Sequence, residues 1–133
     1  MTPEELIENF SYLTDWEDKY RYLIDLGEKL PKLPEELHTD EWKVKGCQSQ
    51  VWLIPHKTEK GEVFFEGDSD AHIVKGLIAV VLTIYNYKSS TEIKQTEIDH
   101  IFKTIGLEEH LSPSLRNGLE AMVSKIKYYA EIL

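Results

Sequence analysis

Cysteine is nearly absent from this 133-residue chain, which contains Cys47 and no other. A single cysteine cannot form an internal disulfide, so the fold depends on its core, and a free thiol is typical of a reducing compartment. Basic residues are also few: 15 lysines and arginines stand against 24 aspartates and glutamates, for a formal net charge of −9. Because this charge repels phosphate backbones and no basic cluster offsets it, the sequence argues against nucleic acid as a partner.

Long apolar runs are absent as well. The longest covers residues 77–82 and extends only to Tyr85, whereas a membrane-spanning helix needs about 20 apolar residues. The first five residues, MTPEE, are acidic and lack the basic start and apolar core of a signal peptide. We therefore expect no membrane segment, a cytoplasmic location and, from the length, one domain over residues 1–133.

Signatures of cofactor and metal sites are missing too. The seven glycines do not have the spacing of a phosphate-binding loop, and the five histidines and one cysteine include no pair at zinc-ligand spacing. Asp68 and Asp70 begin like a calcium loop, but the glycine and glutamate of such a loop do not follow. Helix capping is the better interpretation of these two carboxylates. The sequence leads us to expect no cofactor and no metal.

Capping residues and apolar periodicity predict helices on both sides of a β-rich centre. Thr2, Pro3 and Glu5 predict a helix to about residue 10. A second helix is predicted to begin within residues 14–17 and to be stopped by Gly27 and Pro31, with a stiff connector to about residue 40. The remaining predicted helices are a buried central helix at 73–85, shorter helices at 89–94 and 96–105, and a last helix that begins at Ser112 and Pro113.

Between residues 42 and 66 the hydrophobic period changes from 3.6 towards 2. The β-rich runs cover residues 42–44, 51–54 and 63–65, and the polar, glycine-containing segment 57–61 predicts an antiparallel hairpin between the last two. The predicted fold class is α+β: a small antiparallel sheet of about three strands packed against N-terminal, central and C-terminal helices.

Cys47 is the residue with distinctive reactivity. It lies in a polar, glycine-containing turn, although a lone intracellular cysteine is most often a small buried hydrophobe. Lys43 and Lys45 either stabilise the thiolate, which is the attacking form, or belong to a solvated strand face. The lack of a second cysteine disfavours a dithiol oxidoreductase. A cysteine hydrolase remains an alternative and would need a histidine such as His56 or His72 within reach.

Residues 44–52 (VKGCQSQVW) closely resemble the active loop of the SufE/CsdE sulfur acceptors. Three further blocks resemble the same family, in family order: residues 16–27 its N-terminal helix, residues 67–77 (GDSDAHIVKGL) the start of its central helix, and residues 111–122 (LSPSLRNGLEAM) its C-terminal motif. Together these blocks span nearly the whole chain, so the resemblance is specific.

The resemblance implies that Cys47 accepts sulfur from the persulfide of a pyridoxal-phosphate-dependent cysteine desulfurase of the SufS or CsdA type. It also implies that the chain stimulates this enzyme, delivers the sulfur to an iron-sulfur scaffold complex of the SufBCD type, and needs no cofactor of its own. Lys45, Gly46, Gln48 and Ser49 would support the loop. Because cellular reductants destroy persulfides, we expect Cys47 to rest in an apolar pocket, which raises its pKa, and to swing out on docking.

One position departs from the family pattern. Family members commonly carry an arginine directly after the Ser-Pro-Ser element, where this chain has Leu115 followed by Arg116. A shift of one residue turns a helical side chain by about 100°, so Arg116 need not act in place of that arginine. Arg116 and Asp70 are candidate contacts of the loop or the partner, and Asp70 is equally a candidate helix cap.

A competing interpretation is a binding module that stimulates a desulfurase without chemistry, in which Cys47 only packs. Trp42 and Trp52 flank the loop and are either interface anchors or core residues. Both the SufE and the CsdE branch of the family fit these residues.

Overall fold

A computed structural model describes all 133 residues, as six α-helices and a two-stranded antiparallel sheet. The elements are α1 (Pro3–Ser11), α2 (Trp16–Glu28), β1 (Val51–Lys57), β2 (Val63–Ser69), α3 (His72–Tyr85), α4 (Ser90–Gln95), α5 (Ile98–Thr104) and α6 (Pro113–Ile132). Short 3-10 turns precede β1 and α6, at Glu35–Leu37 and Glu108–His110. The α+β class is confirmed. None of the helices combines the length and the hydrophobicity that crossing a membrane requires.

The predicted starts of α1 and α6 are confirmed by their capping bonds. The Glu5 amide donates to Thr2 Oγ1 and the Thr2 amide donates to Glu5 Oε1, both at 3.1 Å. At α6 the Leu115 amide donates to Ser112 Oγ at 3.2 Å, and Pro113 takes the first helical position. These bonds satisfy amides that have no partner within the helix, so the start of α6 is well defined.

The predicted hairpin is confirmed and is longer than its apolar runs. β1 and β2 pair from Val51 opposite Ser69 to Lys57 opposite Val63. The third predicted run, residues 42–44, forms a single bridge from Lys43 to Trp52 instead of a strand. The sheet therefore has two strands, with this segment bonded along the free edge of β1.

The interpretation of Asp68 and Asp70 as helix caps is wrong. β2 continues through Ser69, because buried and partly exposed residues keep alternating up to that position. α3 begins after Ala71, whose side chain makes no capping bond. Asp68 is instead a strand residue opposite Trp52, and Asp70 follows directly after the strand.

Two glycines allow α2 and α3 to pack in direct backbone contact. A Cβ on Gly76 would lie 2.4 Å from the carbonyl oxygen of Leu23, and a Cβ on Gly27 would lie 2.7 Å from the amide nitrogen of Gly76. The prediction that Gly27 stops α2 is wrong, because the helix continues through Glu28. Gly27 instead allows the close packing of α2 on α3.

One buried apolar core takes residues from all six helices and both strands, with α3 buried along most of its length. A smaller cluster lies on the other face of the hairpin, where Leu33, Leu37 and Trp42 pack on Trp52 and Ile54. These covering residues belong to residues 29–42, which we call the connector. The connector crosses the outer face of the hairpin and leads into the segment that contains Cys47.

Candidate functional site

Residues 45–50, which we call the Cys47 loop, lie directly before β1 and are separated from the connector by Lys43 and Val44. The base of the loop is closed by the Val44 amide, which donates to the Val51 carbonyl oxygen at 2.8 Å. Gly46 has a φ of +95°, a conformation that disfavours any side chain. A Cβ at Gly46 would also lie only 3.3 Å from the Cβ of Ala121. The loop is therefore seated directly against α6.

The sulfur of Cys47 points towards α6. The thiol donates to the carbonyl oxygen of Gly118, with 3.7 Å between Sγ and O. Cys47 is half-buried and lines a cavity of about 20 Å³ whose apolar walls are Val74, Leu77, Leu115 and Met122. Burial raises the pKa of the Cys47 thiol, because the thiolate loses more hydration than the thiol does. In this position the thiol is a weak nucleophile at neutral pH.

Two hydrogen-bonded contacts hold the part of the loop that follows Cys47. The Gln50 amide donates to Asp70 Oδ1 at 3.0 Å, and the Asp70 amide donates to the Gln50 carbonyl oxygen at 3.3 Å. Nearer to Cys47, Ser114 Oγ of α6 donates to Gln48 Oε1. Turning Cys47 outward breaks its bond to Gly118, and a larger opening breaks these contacts as well. Asp70 is thus in contact with the loop, whereas its predicted capping role is not observed.

Arg116 lies away from Cys47. Its Nη2 donates to the carbonyl oxygen of Glu108 at 2.9 Å, in a groove between α5 and α6. Leu115 occupies the side of α6 that faces the loop and forms part of the apolar cavity wall. Arg116 therefore makes no contact with the loop in this structure.

Lys43 and Lys45 do not reach the sulfur. They line a separate groove on the far side of the loop, together with Lys125 and Tyr128. Burial is what shifts the pKa of Cys47, and it shifts it upward. The structure therefore favours the solvated-face interpretation of these lysines. Ser49, by contrast, lines the Cys47 cavity.

The candidate histidines of a hydrolase are also elsewhere. His56 Nε2 lies 2.7 Å from Glu66 Oε1 within the hairpin, and His72 is exposed at the start of α3. Neither lines the Cys47 cavity. No three His, Cys, Asp or Glu side chains come together as a metal site requires. The site thus offers a sheltered thiol without an adjacent general base.

The two tryptophans that flank the loop are packing residues. Trp52 is buried, and Trp42 packs against it in the small cluster on the outer face of the hairpin. The structure therefore favours core packing over exposed anchors.

The sequence did not single out Gly118 and Ser114, although both contact the loop. Gly118 lies inside a helix, where glycine costs stability relative to alanine, and such a position often marks a close approach of another group. Here the approaching group is the sulfur of Cys47, 3.6 Å from where a Cβ would lie. A glycine inside a predicted helix was thus the sequence feature that could have indicated this contact.

The family model and the curated relatives agree in one family. The SufE family, described as the Fe-S metabolism associated domain, matches residues 4–130. An uncharacterized SufE-like protein of Rhizobium meliloti (strain 1021) is 50% identical over 131 residues, covering 96% of this chain and 94% of the relative. Another, from Rhizobium etli, is 49% identical over 132 residues, covering 97% and 89%. The solution structure of a hypothetical protein from Thermus thermophilus has a TM-score of 0.77 at 20% identity, covering 99% of this chain and 97% of that one, and shares the fold.

Proposed function

The chain belongs to the SufE family, which assigns it to sulfur transfer in Fe-S metabolism, and we propose that the thiol of Cys47 accepts and carries the transferred sulfur. The observation that carries the proposal is the position of the only thiol, on a loop held to α6 and to Asp70 by a few hydrogen bonds. A thiol so placed is sheltered at rest and becomes available when the loop opens.

The first half-reaction is attack of the Cys47 thiolate on the outer sulfur of a persulfide carried by the donor. A bond forms between Cys47 Sγ and that outer sulfur, and the sulfur–sulfur bond of the donor breaks. The donor cysteine leaves as a thiolate, and the transferred sulfur keeps its proton, so Cys47 ends as a persulfide. The step parallels thiol–disulfide exchange and needs no external oxidant or reductant.

A lone cysteine suits a carrier. A neighbouring thiol would attack the new persulfide and release its sulfur as sulfide, and this chain has no second thiol. The apolar cavity around Cys47 also restricts the access of cellular reductants to the carried sulfur. Its walls come from α3 and α6, two helices that pack in the main core.

The sulfur donor we propose is a pyridoxal-phosphate-dependent cysteine desulfurase of the SufS or CsdA type. This chain stimulates the desulfurase by removing the persulfide sulfur from the enzyme's own cysteine. The recipient is an iron-sulfur scaffold complex of the SufBCD type. The exchange takes place in the cytoplasm, where reduced thiols persist. Because burial raises the pKa of the resting thiol, docking of the donor supplies activation by drawing Cys47 out of its cavity.

Desulfurase assays with Cys47→Ala separate an acceptor from a binding module. The acceptor mechanism predicts that wild type increases sulfide release from cysteine in the presence of reductant, and that Cys47→Ala binds the desulfurase with unchanged affinity but gives no increase. Stimulation that survives in Cys47→Ala would establish the binding module instead. Equal affinities of the two proteins show that the substitution has not damaged the docking surface.

A further inference from the structure

One side chain, His38, bonds the connector to β2. Its Nε2 lies 2.6 Å from Asp68 Oδ2, and its ring meets the ring of Trp52 edge to face at 4.6 Å between centroids. The side chains of His38 and Asp68 are only 22% and 23% exposed. The contact is therefore partly shielded from water, and it counts for more than an ion pair on an open surface.

Both ring nitrogens of His38 face acceptors. Nδ1 lies 3.2 Å from the carbonyl oxygen of Glu35, while Nε2 faces the Asp68 carboxylate. A neutral imidazole has one N–H and can satisfy only one of these acceptors, whereas an imidazolium has two and satisfies both. The surroundings of His38 thus favour its protonated form.

The charges around the pair reinforce this arrangement. The hydrogen bond to Asp68 raises the pKa of His38, against a smaller opposing effect of burial. Burial would raise the pKa of Asp68, but the hydrogen bonds from His38 and the Ser69 amide lower it on balance. Lys75 Nζ also lies 3.5 Å from Asp68 Oδ1. The other charged or titratable groups that line the adjoining groove are Glu28, Lys32, Glu35 and His72. Because Asp68 stays ionised near neutral pH, the strength of this contact depends on whether His38 is protonated.

The same end of β2 holds both the connector and the Cys47 loop. Asp68 binds His38, and Asp70 binds the Gln50 amide. The connector ends at Trp42, whose carbonyl oxygen accepts a hydrogen bond from the Leu53 amide of β1 at 3.0 Å. A displaced connector therefore loosens the N-terminal side of the Cys47 loop.

We propose that His38 is a positioning residue for Cys47: its imidazolium, bound to Asp68, fastens the connector and keeps the loop closed, and loss of its proton lets the loop open more often. The proposal deepens the proposed function and rests on it, because exposure of Cys47 matters for a sulfur acceptor. A group whose pKa is raised by folding contributes its restraint below its ordinary pKa and loses it as the pH rises through the raised value. The loop is therefore held more firmly in mildly acidic than in alkaline solution.

Alkylation of Cys47 by iodoacetamide, without any desulfurase, tests the proposal. The rate of each variant is divided by the wild-type rate at the same pH, so that the ionisation of the thiol itself cancels. His38→Gln is expected to react about fivefold faster than wild type near pH 6, the factor expected for loss of one net hydrogen bond, with the ratio falling to one at alkaline pH. His38→Arg, which keeps its charge, is expected to match wild type near pH 6 and to react more slowly than wild type at alkaline pH.

His56→Gln is the matched control, because it breaks a histidine–carboxylate bond of similar length in the same hairpin, 2.7 Å from His56 Nε2 to Glu66 Oε1, away from the connector. Its ratio is expected to stay at one across the pH range. Equal ratios for His38→Gln and His56→Gln, or a His38→Gln ratio that does not change with pH, would overturn the proposal. Since no donor protein is present, this result is independent of whether Cys47 accepts sulfur, which mass spectrometry of the same variants decides separately.

Discussion

The sulfur of Cys47 lies 3.7 Å from the carbonyl oxygen of Gly118, and a Cβ on Gly118 would lie 3.6 Å from the same sulfur. The glycine therefore brings the thiol against the backbone of α6. A methyl group at residue 118 would touch the thiol without a clash, but it would take space that an added sulfur needs. The cavity beside Cys47 has only about 20 Å³, close to the volume that one water probe occupies.

Gly118→Ala is expected to have two opposite effects. The folded thiol form gains about 0.5–1 kcal/mol, because alanine is favoured over glycine inside a helix. The Cys47 persulfide, in contrast, decays about fivefold faster in dithiothreitol, because overpacking of about 1 kcal/mol favours the open loop. Urea denaturation measures the first effect and mass spectrometry of the decay measures the second. A persulfide that decays at the wild-type rate would show that the added sulfur lies elsewhere.

Asp70→Ala is expected to release the Cys47 loop. The substitution removes the acceptor of the Gln50 amide, a bond worth about 1 kcal/mol, so alkylation of Cys47 accelerates about fivefold. The free energy of global unfolding in urea falls by about the same 1 kcal/mol, because the bond is absent from both the open loop and the unfolded chain. Asp25→Ala, which removes an exposed carboxylate from α2, is the control and leaves the alkylation rate unchanged. An Asp70→Ala rate equal to that of Asp25→Ala would mean that this bond does not restrain the loop.

Local chemistry made much of the fold predictable. The caps at Thr2 and Ser112 and the turn of the hairpin each depend on residues a few positions apart, and each is confirmed. Asp68 and Asp70 were misassigned because the same residue types cap helices and end strands. Their actual partners, His38 and Gln50, lie 30 and 20 positions away in the sequence.

Gly76→Ala is expected to destabilise the fold by about 1–3 kcal/mol or more, because α2 must move away from α3 to relieve the contact with the Leu23 carbonyl. Gly118→Ala provides the control, as the same substitution inside a helix without a clash. Urea denaturation of the two variants is expected to give changes of opposite sign. Equal stabilities would contradict the close packing of the two helices.

The pKa of Cys47 gives a stability prediction with a definite sign. Folding raises this pKa through burial, so the contribution of the thiol to stability is complete below the ordinary thiol pKa of about 8.5 and is lost as the pH rises through the raised value. The free energy of unfolding of wild type is thus expected to fall in this range relative to Cys47→Ser. Tyr85, with a pKa of about 12, is present in both proteins and its effect cancels. A constant difference between the two proteins would contradict the burial of the thiol.

The candidate site was only partly predictable. The sequence located Cys47 and its loop, because the loop has a distinctive local pattern and the glycine next to Cys47 requires a positive φ. It did not reveal the acceptor of the thiol hydrogen bond, which lies 71 positions away. It also left open the role of Arg116, whose direction depends on how α6 packs against the 3-10 turn before it.

The most direct test of sulfur transfer is intact-protein mass spectrometry after incubation of the reduced protein with a cysteine desulfurase and cysteine. Wild type is expected to gain the mass of one sulfur atom, and dithiothreitol is expected to remove it. Cys47→Ser, which keeps the shape of the side chain but has no thiol, is expected to gain nothing. An unmodified wild-type mass, with desulfurase stimulation unimpaired in Cys47→Ser, would contradict the acceptor mechanism.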